Sequence, residues 1–320
     1  MTLGIDPTID YVFKKIFGDP QNSDVLIHLL NSVIEPRSPI TEVKIQNPFL
    51  EKEFEDDKYS ILDLKARDRE GRWFNVEMQT TIPAGLSERL VYYASCLFAD
   101  QLSDGEHYSR LNPVISICFL TRILFGGIPA EHLRFTLSDR RYNVELTEHF
   151  QVHTVELPKY NLDVVMLEIA PDLAKWAFFL KMAPHLDAVQ LRKLLADAPF
   201  QKAIGIVEMI SRTPEQRRIH DARQKSLRDQ AWILEGTRAA AIQEGRQEGR
   251  QEGRQEGRQE GIELGIQRGD RRGKIHLLQQ LLGDPLTSDH LLGSLELAEM
   301  DAMITALLSR VPKSGDFGTP

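Results

Sequence analysis

The sequence predicts a mixed α/β fold followed by an all-helical C-terminal region. Two short runs, Ile61-Leu62-Asp63-Leu64-Lys65 (from Leu62 on) and Phe74-Asn75-Val76-Glu77-Met78-Gln79, alternate between apolar and polar residues, the pattern of half-buried strands. A third run, Val114-Ile115-Ser116-Ile117-Cys118-Phe119-Leu120, is nearly continuous in apolar residues and rich in β-branched ones, as in a strand covered on both faces. Around these strands the apolar residues recur at helical spacing. Helix, strand, hairpin, helix, buried strand is the order of a mixed sheet with helices packed on it.

Taken in order, residues 1–35 read as two helices. Pro7-Thr8 marks a start, with Ile9, Val12, Phe13, Ile16 and Phe17 on one face, and Val25, Leu26, Leu29, Leu30 and Val33 form a second apolar stripe. Thr41 to Ile45 reads as a short strand. The alternating runs then form a hairpin: Arg69-Glu70-Gly71 is a three-residue loop with Gly71 in the left-handed position, so Asp68 pairs with Arg72. Paired residue numbers therefore sum to 140, which sets Asp63 opposite Glu77 and Lys65 opposite Asn75. Leu62, Leu64, Phe74, Val76 and Met78 all fall on the other face, where register must place core residues. A helix from about Ser87 to Leu102 carries Leu90, Tyr93, Ala94, Leu97 and Phe98 inward, and Ser103-Asp104-Gly105 stops it. Phe135 with its neighbours and Gln151 to Leu157 read as further strands. Beyond residue 165 the pattern is wholly helical, with Ala174, Trp176, Phe178, Phe179, Leu180 and Met182 in one strongly apolar stretch.

Composition is that of a globular protein: 42% of the 320 residues are hydrophobic and 27% charged, enough for one large or two smaller domains. No apolar run approaches bilayer length, so no membrane association is expected. The opening residues carry neither a basic region nor an apolar segment, and Cys96 and Cys118 sit in apolar contexts without metal-ligand spacing. A cytoplasmic location is the expectation. The net charge of −8 counts against a protein that only grips phosphate, although a bound divalent cation supplies positive charge that no residue count includes.

The polar face of the hairpin is the chemical signal. Asp63 and Glu77 facing each other repel unless one is protonated or a cation lies between them. Mg²⁺ suits such a pair, because it takes one or two carboxylates, keeps its waters and shares coordination with substrate phosphate; Mn²⁺ is the alternative ion. Asp63 and Glu77 would be the ligands, with Lys65 or Gln79 orienting a water or meeting the scissile phosphate. The competing reading is an edge hairpin whose polar face is simply wet.

In these residues the chain resembles the PD-(D/E)XK nuclease superfamily, in which an acid on one strand and an (Asp/Glu)-x-Lys on the next hold the metal. The runs that carry the resemblance are Asp63-Leu64-Lys65-Ala66 and Glu77-Met78-Gln79. With Asp10-Tyr11-Val12-Phe13-Lys14-Lys15-Ile16-Phe17 and Glu88-Arg89 before Tyr92-Tyr93, it is more closely similar to the Rpn family of recombination-promoting nucleases, also described as transposase-like. The resemblance covers roughly residues 1 to 160. It implies a restriction-endonuclease-like core and metal-dependent endonucleolytic cleavage of DNA, with Asp63 and Glu77 as metal ligands and Gln79 and Lys65 as further catalytic residues. Gln79 stands where the superfamily has lysine, and an amide carries no charge to stabilise the phosphate. The Rpn family is similar in having glutamine there. Asp10 is a candidate third acid and Arg89 a candidate phosphate contact.

A tandem repeat separates this core from the C-terminus. Gln-Glu-Gly-Arg recurs from Gln243 to Gly261, and glycine keeps its four-residue register from Gly245 to Gly273. As helix, the unit would form glycine, Glu and Arg stripes along i, i+4 rows, a face on which two backbones could approach. Each interior glycine costs about 1 kcal/mol against alanine, so a lone helix is disfavoured and the repeat is either a linker or a helix steadied by a partner. The expected organisation is a nuclease-like core over 1–165, a helical extension over 166–235 and the repeat over 236–274. A small helical tail over 275–310 and a disordered end over 311–320 complete it. Two function classes follow: a metal-dependent DNA endonuclease of recombination or mobile elements, or a degenerate nuclease fold serving as a DNA-binding or self-assembling module.

Overall fold

The computed structural model describes residues 2–46 and 64–311. The chain divides into two compact units, residues 1–232 and 233–320. In the first, six strands form one mixed sheet. They are β1 (Val43–Ile45), β2 (Leu64–Asp68), β3 (Trp73–Gln79), β4 (Val114–Leu120), β5 (His132–Asp139) and β6 (Val144–Glu156), in the spatial order β1-β2-β3-β4-β6-β5. β3, β4 and β6 run parallel, while β1, β2 and β5 are antiparallel to their neighbours.

The hairpin forms as its turn chemistry requires. Gly71 has φ 89°, the left-handed conformation that glycine adopts without penalty. Asp68 closes the turn four times: its N–H donates to Arg72 O at 3.1 Å, its carbonyl accepts from Gly71 N at 3.1 Å, and its carboxylate accepts from Arg72 N at 2.9 Å and Nε at 2.6 Å. The strands then pair Leu64 with Val76, Lys65 with Asn75, Ala66 with Phe74 and Arg67 with Trp73, each pair summing to 140.

Helices cover both faces. On one side α1 (Asp10–Phe17), α2 (Ser23–Ile34), α4 (Asp172–Met182), α5 (Ala188–Leu194) and α6 (Ala198–Arg212) build the larger core, into which β3 sends Phe74, Val76 and Met78. The amphipathic spacing explains this layer: Val12, Phe13, Ile16 and Phe17 fall one turn apart and all are buried. Trp176 of α4 lies at its centre, against Phe17, Phe179 and Phe200. On the other side, α3 (Leu86–Ala99) is the crossover that a parallel β3–β4 connection needs. Its Leu86, Leu90, Ala94 and Leu97 pack on Val114, Cys118 and Leu120 of β4 and Val152 of β6. β4 is thus buried on both faces, as its apolar run indicates.

The β5–β6 hairpin is longer than the sequence pattern shows. β6 begins at Val144, well before the strand expected from Gln151, and register shifts flank Leu137. Its first half is mostly exposed. Strand residues that face water on both sides, interrupted by bulges, leave no period to read.

Where β6 enters the core it carries a buried histidine. His153 stacks on His132 with ring centroids 5.1 Å apart, and His132 Nε2 lies 2.9 Å from His153 Nδ1. Burial, followed by the charges of His132 and Arg134, pushes the His153 imidazole down to about 3 from its ordinary value of 6.5. Between those values the unfolded chain takes up a proton that the folded chain refuses, so stability is lost as pH falls below about 6.5. The expected slope from this one group is about 1.4 kcal/mol per pH unit. Urea-unfolding free energies at pH 7, 6 and 5 should therefore drop less in His153→Gln than in the wild type; parallel pH profiles would refute the assignment.

The last helix of the first unit, α7 (Pro214–Leu282), continues through the repeat into the second unit. The repeat is helical, its residues from Gln243 to Gly261 are exposed, and nothing lies within 4 Å of where a Cβ on any glycine from Gly245 to Gly273 would sit. In the second unit the end of α7, α8 (Asp289–Ser294) and α9 (Leu297–Leu308) enclose a small core of Ile275, Leu278, Leu292, Met300 and Leu307. No helix among the described residues is long and apolar enough to cross a membrane.

Candidate active site

β3 alternates, so Trp73, Asn75, Glu77 and Gln79 share the face that looks toward α3. The neighbouring parallel strand decides what happens to them. β4 sets Ser116 beside Asn75, Cys118 beside Glu77 and Leu120 beside Gln79. With β4 on one side, β2 on the other and α3 on the same face, a polar row that would be wet on an edge hairpin becomes interior. Glu77 is 4% exposed and Asn75 is fully buried.

Amides clasp the Glu77 carboxylate from both directions along the strand. Asn75 Nδ2 donates to Oε1 at 2.7 Å, and Gln79 Nε2 reaches Oε2 at 3.4 Å. Asn75 Nδ2 also lies 3.4 Å from Ser116 Oγ. These donors are neutral, and no cationic side chain among the described residues forms an ion pair with Glu77. A carboxylate taken out of water without an opposite charge is unfavourable, so the arrangement is one that a cation would complete. Asn75 Oδ1 is also buried without a hydrogen-bond partner among the described residues. The carboxylate oxygens of Glu77 are hard donors of the kind that Mg²⁺ or Mn²⁺ accepts, so the residues present fit a divalent ion.

Lys65 pairs across from Asn75 on the adjacent strand, and its Nζ lies 4.5 Å above the Trp73 ring. Arg67 meets the same ring at 5.2 Å and donates through Nε to Gly71 O at 3.3 Å. A basic strip thus runs along β2 beside the Glu77 row, held by cation–π contacts. Asp63 lies outside the described residues. Asp10 is in the first turn of α1, paired with Lys14 at 2.9 Å, and α1 packs on the sheet face opposite Glu77. Arg89 is on α3, on the Glu77 side of the sheet.

The sequence sets Asn75 on the polar face near the acids but gives it no role there, and Ser116 is not foreseen as part of the site. Both leave a trace in the sequence. Asn75 is a polar position in phase with Glu77, two residues away on the same strand face, and Ser116 is the lone hydroxyl in the apolar run of β4. Only the parallel pairing of β3 with β4 brings the two traces together.

The sequence model of the PD-(D/E)XK nuclease family transposases matches residues 7–237. No curated protein and no solved structure matches the chain.

Proposed function

The chain belongs to the PD-(D/E)XK nuclease family transposases, and from that membership we propose that it is a metal-dependent endonuclease that hydrolyses phosphodiester bonds of DNA. The family and the mixed sheet flanked by helices support a nuclease or transposase-like role. The finer reading rests chiefly on the Glu77 carboxylate: it is buried, oriented by Asn75 and Gln79, and lacks a partner cation among the described residues.

In this reading Glu77 holds Mg²⁺ or Mn²⁺ together with Asp63, the acid of the preceding motif Asp63-Leu64-Lys65-Ala66. What a divalent ion supplies in such a site is Lewis-acid polarisation of the phosphate and relief of the charge that builds on it. The chain's own residues do the rest. Asn75 fixes the rotamer of Glu77, so the carboxylate meets its ligand without reorganising. Gln79 donates to Glu77 through Nε2, which leaves Oε1 to accept a hydrogen bond from an attacking water and aim it at phosphorus. Gln79 cannot serve as a general base, so the proton leaves to solvent or substrate. Lys65, one strand away, supplies the positive charge that an amide at position 79 lacks. Purified protein should nick supercoiled plasmid DNA in Mg²⁺ or Mn²⁺ and stop on chelation, and Asp63→Ala should remove the activity. Nicking that survives both treatments would contradict the reading.

A homo-oligomer formed through the repeat is the second element of the proposal. Eight glycines recur from Gly245 to Gly273 in an exposed stretch of α7, a penalty of roughly 8 kcal/mol against alanine that a second copy would offset. Glu and Arg stripes on either side of the glycines give such a copy complementary charge. Light scattering should show a smaller assembly for a chain ending after Ala231; an unchanged state would exclude the repeat as the driver.

A further inference from the structure

Arg89 carries an unmet electrostatic demand. Its Nε and Nη2 are buried and have no hydrogen-bond partner among the described residues. Those atoms form one edge of the guanidinium, the edge that makes two parallel bonds to a carboxylate or phosphate. A buried charged donor left unbonded is strongly unfavourable, so the edge is shaped for an anion that arrives from outside the chain.

Its direction follows from how α3 sits on the sheet. Phe98 of α3 meets Phe150 of β6 at 6.4 Å, and Ser87, Leu90 and Val91 line an apolar cavity of about 390 Å³ together with Val152 and Thr154 of β6. That flank of the helix therefore faces β6. At about 100° per residue, Arg89 lies on the opposite flank, toward β3. Leu90 and Val91 of the same turn line that cavity together with Thr154, which is in the same cross-strand row as Cys118 and Glu77. The α3 face of the sheet thus offers an unsatisfied acceptor at Asn75 Oδ1 and unsatisfied donors at Arg89, and these do not satisfy each other. Of these only the donors suit a phosphodiester, whose oxygens accept; its phosphate would bond to Arg89 on the side of the sheet that carries Glu77.

We propose that the Nε–Nη2 edge of Arg89 is the phosphate subsite of this face, taking two non-bridging oxygens of a nucleic-acid backbone phosphate. The assignment deepens the nuclease reading and rests on it. A backbone phosphate is common to every sequence, so Arg89 contributes affinity and placement with no base preference.

The test is equilibrium binding of a labelled DNA duplex to the full-length chain in chelator, by fluorescence anisotropy across a salt series. Arg89→Ala should weaken binding roughly tenfold or more and flatten the log–log salt slope by about 0.9, one phosphate contact. Arg89→Lys should restore the slope and only part of the affinity, because a point charge cannot reproduce two parallel bonds. Wild-type slope and affinity in Arg89→Ala would overturn the proposal. A second measurement needs no alanine variant: inorganic phosphate should raise the melting temperature of the wild type above that in chloride of equal ionic strength, and raise that of Arg89→Lys less. Absence of that rise in the wild type would also overturn it. A chain that binds through Arg89 yet never cleaves removes the nuclease reading alone; one that cleaves and binds equally well without Arg89 removes this assignment alone.

Discussion

Glu77→Gln is expected to lower metal-dependent nicking by about a thousandfold or more while leaving the fold at least as stable as the wild type. The two effects have one cause. The substitution keeps the shape of the side chain and removes the charge that would hold the cation. Loss of Lewis-acid stabilisation is worth several kcal/mol, and each 1.4 kcal/mol or so is tenfold in rate. Stability moves differently, because Glu77 is 4% exposed and has only neutral amide donors among the described residues. Neutralising a buried charge that has no cationic partner among the described residues relieves desolvation, so the melting temperature in chelator should stay level or rise. A structural glutamate would show the reverse, a lower melting temperature with activity falling only as the fold is lost. Initial rates of plasmid nicking in Mg²⁺, taken with melting curves in chelator, separate the two; near-wild-type nicking would remove Glu77 from the chemistry.

Trp176→Ala should produce the largest loss of stability, about 3–5 kcal/mol, in a protein whose whole margin is on the order of 5–15 kcal/mol. Trp176 is fully buried, with ring centroids 4.3 Å from Phe200, 5.3 Å from Phe17 and 5.7 Å from Phe179, so one side chain ties α1, α4 and α6 together. Its Nε1 donates to His28 Nδ1 at 3.0 Å, which fastens α2 to the same point. Truncation opens a cavity that four helices cannot all close, and it strands the His28 acceptor. The urea midpoint should fall with an unchanged m-value, and Trp176→Phe should recover most of the packing without the hydrogen bond. A loss below about 1 kcal/mol for Trp176→Ala would mean the helical layer relaxes freely around the hole.

The fold was largely legible where information is local. Gly71 and its flanking charges specify the turn, the turn specifies the register, and the alternation of Phe74, Val76 and Met78 specifies which face is core. The apolar run of β4 announced a strand buried on both sides in the same way. The site was legible in its residue types and less so in its environment. A hairpin read alone gives a polar face open to water. Glu77 is interior because β4, more than thirty residues away in sequence, lies parallel to β3 and α3 crosses above it. No local pattern encodes that pairing, which is why Asn75 and Ser116 escaped notice as supports for the carboxylate. The outer half of β5 and β6 escaped for a different reason: its side chains face solvent, and bulges break its phase. Asp63, on which half of the proposed ligand set depends, lies outside the described residues.

The most direct test of the account is where a metal goes. Crystals of the wild-type protein grown with Mn²⁺ should show an anomalous-scattering peak within about 2–2.2 Å of a Glu77 carboxylate oxygen, a contact length set by the size of such an ion. An ordered Glu77 still bonded only to Asn75 and Gln79, with no peak beside it at Mn²⁺ concentrations that sustain cleavage, would contradict it.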